Sequence, residues 1–121
     1  MDTKYNLVIS KEALNDISSF KRYILRKFKY REHADNFSIK IKQAIQKINI
    51  FPKANKKTEY KIEGLDIYYK PIDTYLIFFV MDKEIISIIR VLKDRMYWQR
   101  VIEQLNEKLN STCKTKFHTE D

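Results

Sequence analysis

The chain has 121 residues and a formal net charge of +8, from 24 basic and 16 acidic side chains. That length makes one domain with a core of its own, and the positive field selects polyanionic partners: nucleic acid, a ribosome or an acidic protein. A single glycine, Gly64, and a single cysteine, Cys113, argue against a glycine-rich phosphate cradle, a disulfide framework and a zinc cluster. The start MDTKYNLVIS lacks the cationic lead and apolar core of a secretory signal, and no apolar run reaches membrane-spanning length, so the expected location is cytoplasmic. No acidic cluster falls at metal-ligand spacing, so neither a metal nor a cofactor is expected.

In chain order, Lys4–Ser10 alternates apolar and polar residues and predicts a first strand. Ser10 is placed to cap a helix, with Glu12 in the first turn, where the helix dipole favours a negative charge. Ala13, Ile17, Phe20, Ile24 and Phe28 recur at helical spacing and predict an apolar stripe over Lys11–Phe28. After a short connection over Lys29–Glu32, Ala34, Phe37, Ile41, Ile45 and Ile48 predict a second helix, which ends near Ile50 because Pro52 disfavours helix at Phe51. Two helices joined so tightly form an antiparallel hairpin, and its stripe needs a sheet to cover.

The remainder of the chain supplies that sheet. Lys53–Glu59 reads as a lysine-rich loop, Tyr60–Ile62 as a short strand and Glu63-Gly64 as a turn. Leu65–Pro71 alternates again, with Asp66, Tyr68 and Lys70 on the face opposite Leu65, Ile67 and Tyr69. After a turn at Asp73-Thr74, Tyr75–Met81 is apolar on both faces, as a central strand covered twice would be. Asp82-Lys83 turns the chain into a last strand, Glu84–Leu92, where strict alternation puts Arg90 on the face of Ile86, Ile88 and Leu92. Asp94 is placed to cap a final helix, opened by Met96 or Tyr97, with Trp98, Val101, Ile102, Leu105 and Leu109 as its stripe. The polar segment 111–121 is expected to be a disordered tail after a domain spanning 1–110. The expected class is α+β: a strand, an antiparallel helical hairpin, four further strands of a mostly antiparallel sheet and a C-terminal helix.

This order, with three local stretches, resembles the RelE/ParE superfamily of toxins from bacterial type II toxin–antitoxin systems. VISKEALNDISSFKRYI is similar to the family's opening strand and helix, Tyr75–Val80 to its Y-x-I-x-Y-x-V strand, and RVLKDRMY, Arg90–Tyr97, to its closing R-[IV]-L-H-x-R-[MR]-D motif. The resemblance implies a basic growth inhibitor, neutralised by a cognate antitoxin with which it forms an oligomer. It also implies one of two targets: RelE-like members cut messenger RNA in the ribosome, and ParE-like members poison DNA gyrase.

Metal-independent RNA cleavage needs a base, an acid and cations around the phosphate. Arg95 matches a functional arginine of RelE-like toxins, and Arg90, Lys93 and Tyr97 complete the catalytic candidates. Lys70, Tyr68, Tyr75, Lys56 and Lys57 are candidates for contacting the target or nucleic acid. The motif's histidine is Lys93 here, its aspartate is Tyr97, and Tyr75 stands where RelE-like toxins often carry an arginine. The bland reading of Arg95 is an ion pair with Asp94 or Glu103. The string VLKDRMYWQRVIEQL is more similar to the ParE-like ending, so gyrase is the preferred target, with ribosome-dependent cleavage or a degenerate, non-toxic copy as alternatives. Phe20, Ile24, Trp98, Ile102 and Leu105 are the residues expected to meet the antitoxin, in a groove between hairpin and sheet.

Overall fold

The structure, a computed structural model, describes residues 5–95 and 97–105. The polar tail over 111–121, Leu109 and Met96 lie outside that range. Strand β1 (Asn6–Ile9) leads into helix α1 (Lys11–Phe28) and helix α2 (Arg31–Ile50). A short 3-10 turn at Pro52–Ala54 precedes β2 (Lys56–Ile62), β3 (Leu65–Ile72), β4 (Tyr75–Asp82) and β5 (Ile85–Lys93). A third helix, α3, starts at residue 98 and is described as far as 105.

The strands form one sheet in the order β1-β5-β4-β3-β2. Three two-residue turns join β2 to β5 into an antiparallel meander, and β1 returns to the sheet parallel to β5. At the first turn both Glu63 and Gly64 have positive φ, 50° and 82°, which is what a right-twisted two-residue hairpin demands. The turn between β4 and β5 is Lys83-Glu84 rather than Asp82-Lys83: Asp82 still pairs with Ile85, and Lys83 takes the left-handed conformation.

Two cores sit on opposite faces of the sheet. Ile77 and Phe79 of β4 point to the hairpin side and pack with Ala13, Ile24, Ala34, Phe37, Ile41, Ala44, Ile45 and Ile48. Leu76, Phe78 and Val80 of the same strand point the other way and pack with Ile62, Ile67, Leu92 and Ile102 of α3. The strand's continuous apolar run is therefore explained by cover on both faces.

Three expectations need correction. β2 starts at Lys56, inside the stretch read as a loop. It carries a bulge between Lys57 and Lys61, where the Thr58 hydroxyl accepts from the Tyr60 N–H (3.1 Å). Lysines suit an edge strand because they discourage further pairing, and their low strand propensity hid it. Phe28 is 44% exposed and lies off the buried stripe. Asp94 does not cap α3. Its N–H donates to the Thr74 carbonyl (2.8 Å), and the Tyr97 carbonyl takes the first helical bonds, from Arg100 and Val101.

Candidate functional site

The most constrained polar group in the chain joins α1 to β5. Ladder pairing runs Phe79 to Ile88 and then Phe78 to Arg90, so Ile89 is an extra residue in β5. The bulge breaks the alternation on which the placement of Arg90 beside Ile86, Ile88 and Leu92 rested: Ile86 and Ile88 face the hairpin core, and Leu92 faces the other. Past the end of β1, side chains of α1 satisfy the backbone of β5. The Ser10 hydroxyl donates to the Ile89 carbonyl (3.0 Å) while its oxygen caps α1 by accepting from the Ala13 N–H (3.1 Å). Asp16 accepts from the Val91 N–H (2.9 Å) and from both Nε (2.8 Å) and Nη2 (2.9 Å) of Arg90. Arg90 is thus held in a partly buried, two-pronged ion pair.

The other candidates separate into three places. Lys93 and Tyr75 are cross-strand partners at one corner of the sheet, beside the turn that carries Arg95. The Asp94–Thr74 backbone bond holds that turn against the one between β3 and β4. Tyr97, 83% exposed, stands at the start of α3 and lines a shallow pocket of about 310 Å³ with Gln99, Arg100 and Glu103. Tyr68 stacks on Phe79 with centroids 5.6 Å apart, and Lys70 lines a surface pocket with Lys47 and Phe51. Lys56 and Lys57 lie on the β2 edge, and Lys57 reaches Asp66 (3.6 Å).

The corner that holds Lys93 and Tyr75 also gathers residues outside the catalytic and target-binding candidates. The Lys93 ammonium lies 5.0 Å from the ring centre of Tyr23 and 5.9 Å from that of Tyr75. The Lys27 ammonium lies 5.6 Å from the ring centres of both Tyr23 and Phe28. His33 stacks on Phe28 at 4.9 Å, and Tyr75 is backed by Phe20 and Phe37 at 5.0 and 4.9 Å. The four lysine-to-ring separations fall within cation–π range. The i, i+4 spacing of Tyr23 and Lys27 on α1 was the available signal. Burial raises the Tyr75 phenol above its ordinary pKa, with the Asp73 carboxylate and Tyr23 pushing the same way. A phenol so shifted stays protonated near neutrality and is unsuited to act as a general base.

Of the residues expected to meet the antitoxin, Ile24 and Ile102 are buried in the two cores. Phe20 packs partly buried against the hairpin core, and Trp98 and Leu105 against the other. These side chains are therefore engaged, wholly or in part, in the protein's own two cores. Among the described residues no three His, Cys, Asp or Glu side chains gather as a metal site, and no helix is long and apolar enough to cross a membrane.

Comparison with known proteins gives two positive findings. The sequence model of a family described as the ParE toxin of the type II toxin–antitoxin system parDE matches residues 7–98. Nine chains of solved structures also match. One, described as a chromosomal ParDE toxin–antitoxin system from P. aeruginosa, superposes with a TM-score of 0.62 at 12% identity, covering 76% of this chain and 98% of that one. No curated protein sequence matches significantly.

Proposed function

We propose, since this chain belongs to the ParE toxin family of type II toxin–antitoxin systems, that it arrests growth by engaging DNA gyrase through a rigid surface, without chemistry of its own. The observation that supports this over RNA cleavage is the dispersal of the proton-transfer and phosphate-binding candidates. Arg90 is bound to Asp16, Lys93 lies against aromatic rings, and Tyr97 stands exposed at the start of α3 beside Gln99, Arg100 and Glu103. Acid–base catalysis needs such groups within hydrogen-bond reach of one reacting centre. A surface that only binds has no such requirement.

The partner that neutralises the toxin is a cognate antitoxin. We expect its segment to be acidic or amphipathic and to lie on the basic rim and the exposed edges of Phe20, Trp98 and Leu105. Arg95 is the side chain through which the toxin is expected to meet its target, being exposed on a turn anchored by the Asp94–Thr74 bond.

The test uses the purified chain in two assays. One reads supercoiling by gyrase, the other reads cleavage of a message on programmed ribosomes by primer extension. Lost supercoiling or trapped cleaved DNA with intact message is the expected result. Message cut only in the presence of ribosomes would overturn the gyrase reading in favour of RNA cleavage. No effect in either assay would reject both.

A further inference from the structure

Tyr75, Lys93, Tyr23, Lys27, Phe28 and His33 form a continuous row in which aromatic rings and ammonium groups alternate, up to the final ring-on-ring contact of Phe28 with His33. The row runs from the sheet corner to the tip of the helical hairpin. Tyr23 and Phe28 are 43% and 44% exposed, and Tyr30, just beyond the tip, is 70% exposed. The flanking sequence KRYILRKFKYR, residues 21–31, contains six basic side chains and no acidic one. A pocket of about 270 Å³ opens beside the row, its lining including Phe28, His33, Tyr75 and the Lys40–Asp73 ion pair (3.0 Å).

We propose that this row is a binding site for single-stranded nucleic acid. A single strand presents the complementary alternation, an anionic phosphate and a planar base in each nucleotide. Phosphate draws the lysine ammonium off the ring, and the vacated ring face receives a base, which stacks without regard to sequence. Exposed apolar rings are otherwise costly to leave in water, and the core does not use them: Tyr23 and Phe28 lie outside both buried clusters, and among the described residues Lys27 and Lys93 pair with no carboxylate. An acidic peptide would satisfy the lysines but leave the rings without a partner. A duplex would offer phosphates while keeping its bases stacked on one another. The inference does not rest on the gyrase reading, because it concerns binding by the isolated chain.

The experiment is fluorescence anisotropy of the purified full chain with a labelled mixed-sequence DNA strand about twelve nucleotides long. Unlabelled single strand, the matching duplex and polyglutamate serve as competitors at one fixed salt concentration. Single strand is expected to compete about 10-fold or more better than either rival. Tyr23→Leu, which keeps every charge, is expected to weaken binding about 10-fold with an unchanged melting temperature. Lys27→Gln is expected to weaken binding and to flatten its salt dependence by about one phosphate contact. The paired change Lys56→Gln, Lys57→Gln on the β2 edge is expected to have a much smaller effect. Equal competition by polyglutamate would overturn the proposal and assign the row to an acidic protein. Equal competition by duplex, full binding by folded Tyr23→Leu, or a larger loss from the β2 pair would overturn it as well, as would no binding at low salt.

Discussion

Asp16 accepts three hydrogen bonds, two from the Arg90 guanidinium and one from the Val91 N–H. Its carboxylate therefore compensates a partly buried cation and a backbone donor that has no strand beside it. Removing either partner leaves the other charge uncompensated in a place with little water. Asp16→Ala is expected to cost about 2–4 kcal/mol, read as a lowered urea midpoint at an unchanged m-value. Arg90→Ala is expected to cost a similar amount, and the double variant less than the sum. Loss of toxicity on changing Arg90 is consequently a folding effect first. Arg95→Ala, on an exposed turn, is the cleaner probe: relief of growth inhibition at an unchanged melting temperature is the expected outcome. Lys29, with φ of 64°, closes α1 in the left-handed conformation that glycine adopts without strain. Lys29→Gly is expected to raise stability by about 0.5–1 kcal/mol in thermal melts, unless the entropy it adds to the unfolded chain offsets the gain.

At the scale of elements, the described part of α3 is held to the sheet by Trp98, Val101, Ile102 and Leu105. Ile102 is completely buried, and Trp98 lies against Phe78, Tyr69 and Tyr60, with ring centres 5.2, 6.2 and 6.2 Å away. Ile102→Ala is expected to cost about 2–4 kcal/mol and to increase amide exchange in α3 and in β2 before α1 and α2. The order of elements was legible because each long one carried a strong periodic signal. The stripes of α1 and α2 and the doubly apolar run of β4 predicted most of the side chains that face the cores, although Ile17 and Phe20 are only partly buried, Phe28 is exposed and buried Ala44 was missed. What the sequence hid were departures from regular period. A bulge shifts the later side chains in a strand, so one extra residue at Ile89 was enough to put Leu92 on the face opposite Ile86 and Ile88. The first half of β2 was hidden by its lysines, and the start of α3 by an aspartate whose N–H serves the turn at Thr74 instead. The site residues divided along the same line. Lys93 and Tyr75 were named as candidates because they lie in a motif, whereas Tyr23, Lys27 and Phe28 carry no motif and join them only where the hairpin tip meets the sheet corner.

At the scale of the whole molecule, the strand order places the first strand beside the last. β1 pairs with β5 alone, and Ser10 bonds to Ile89 across 79 positions of sequence. During synthesis α1 and α2 leave the exit tunnel with their apolar stripes facing no sheet. The meander that covers them follows, and the N-terminal strand cannot dock until β5 is out. Such long-range closure is slow relative to local helix formation. A nascent chain interrupted anywhere before residue 93 therefore lacks the Asp16–Arg90 clamp or the Lys93–Tyr75 corner, or both. Synthesis through residue 93 therefore precedes the first chain that holds both features, a delay measured in seconds at ordinary elongation rates.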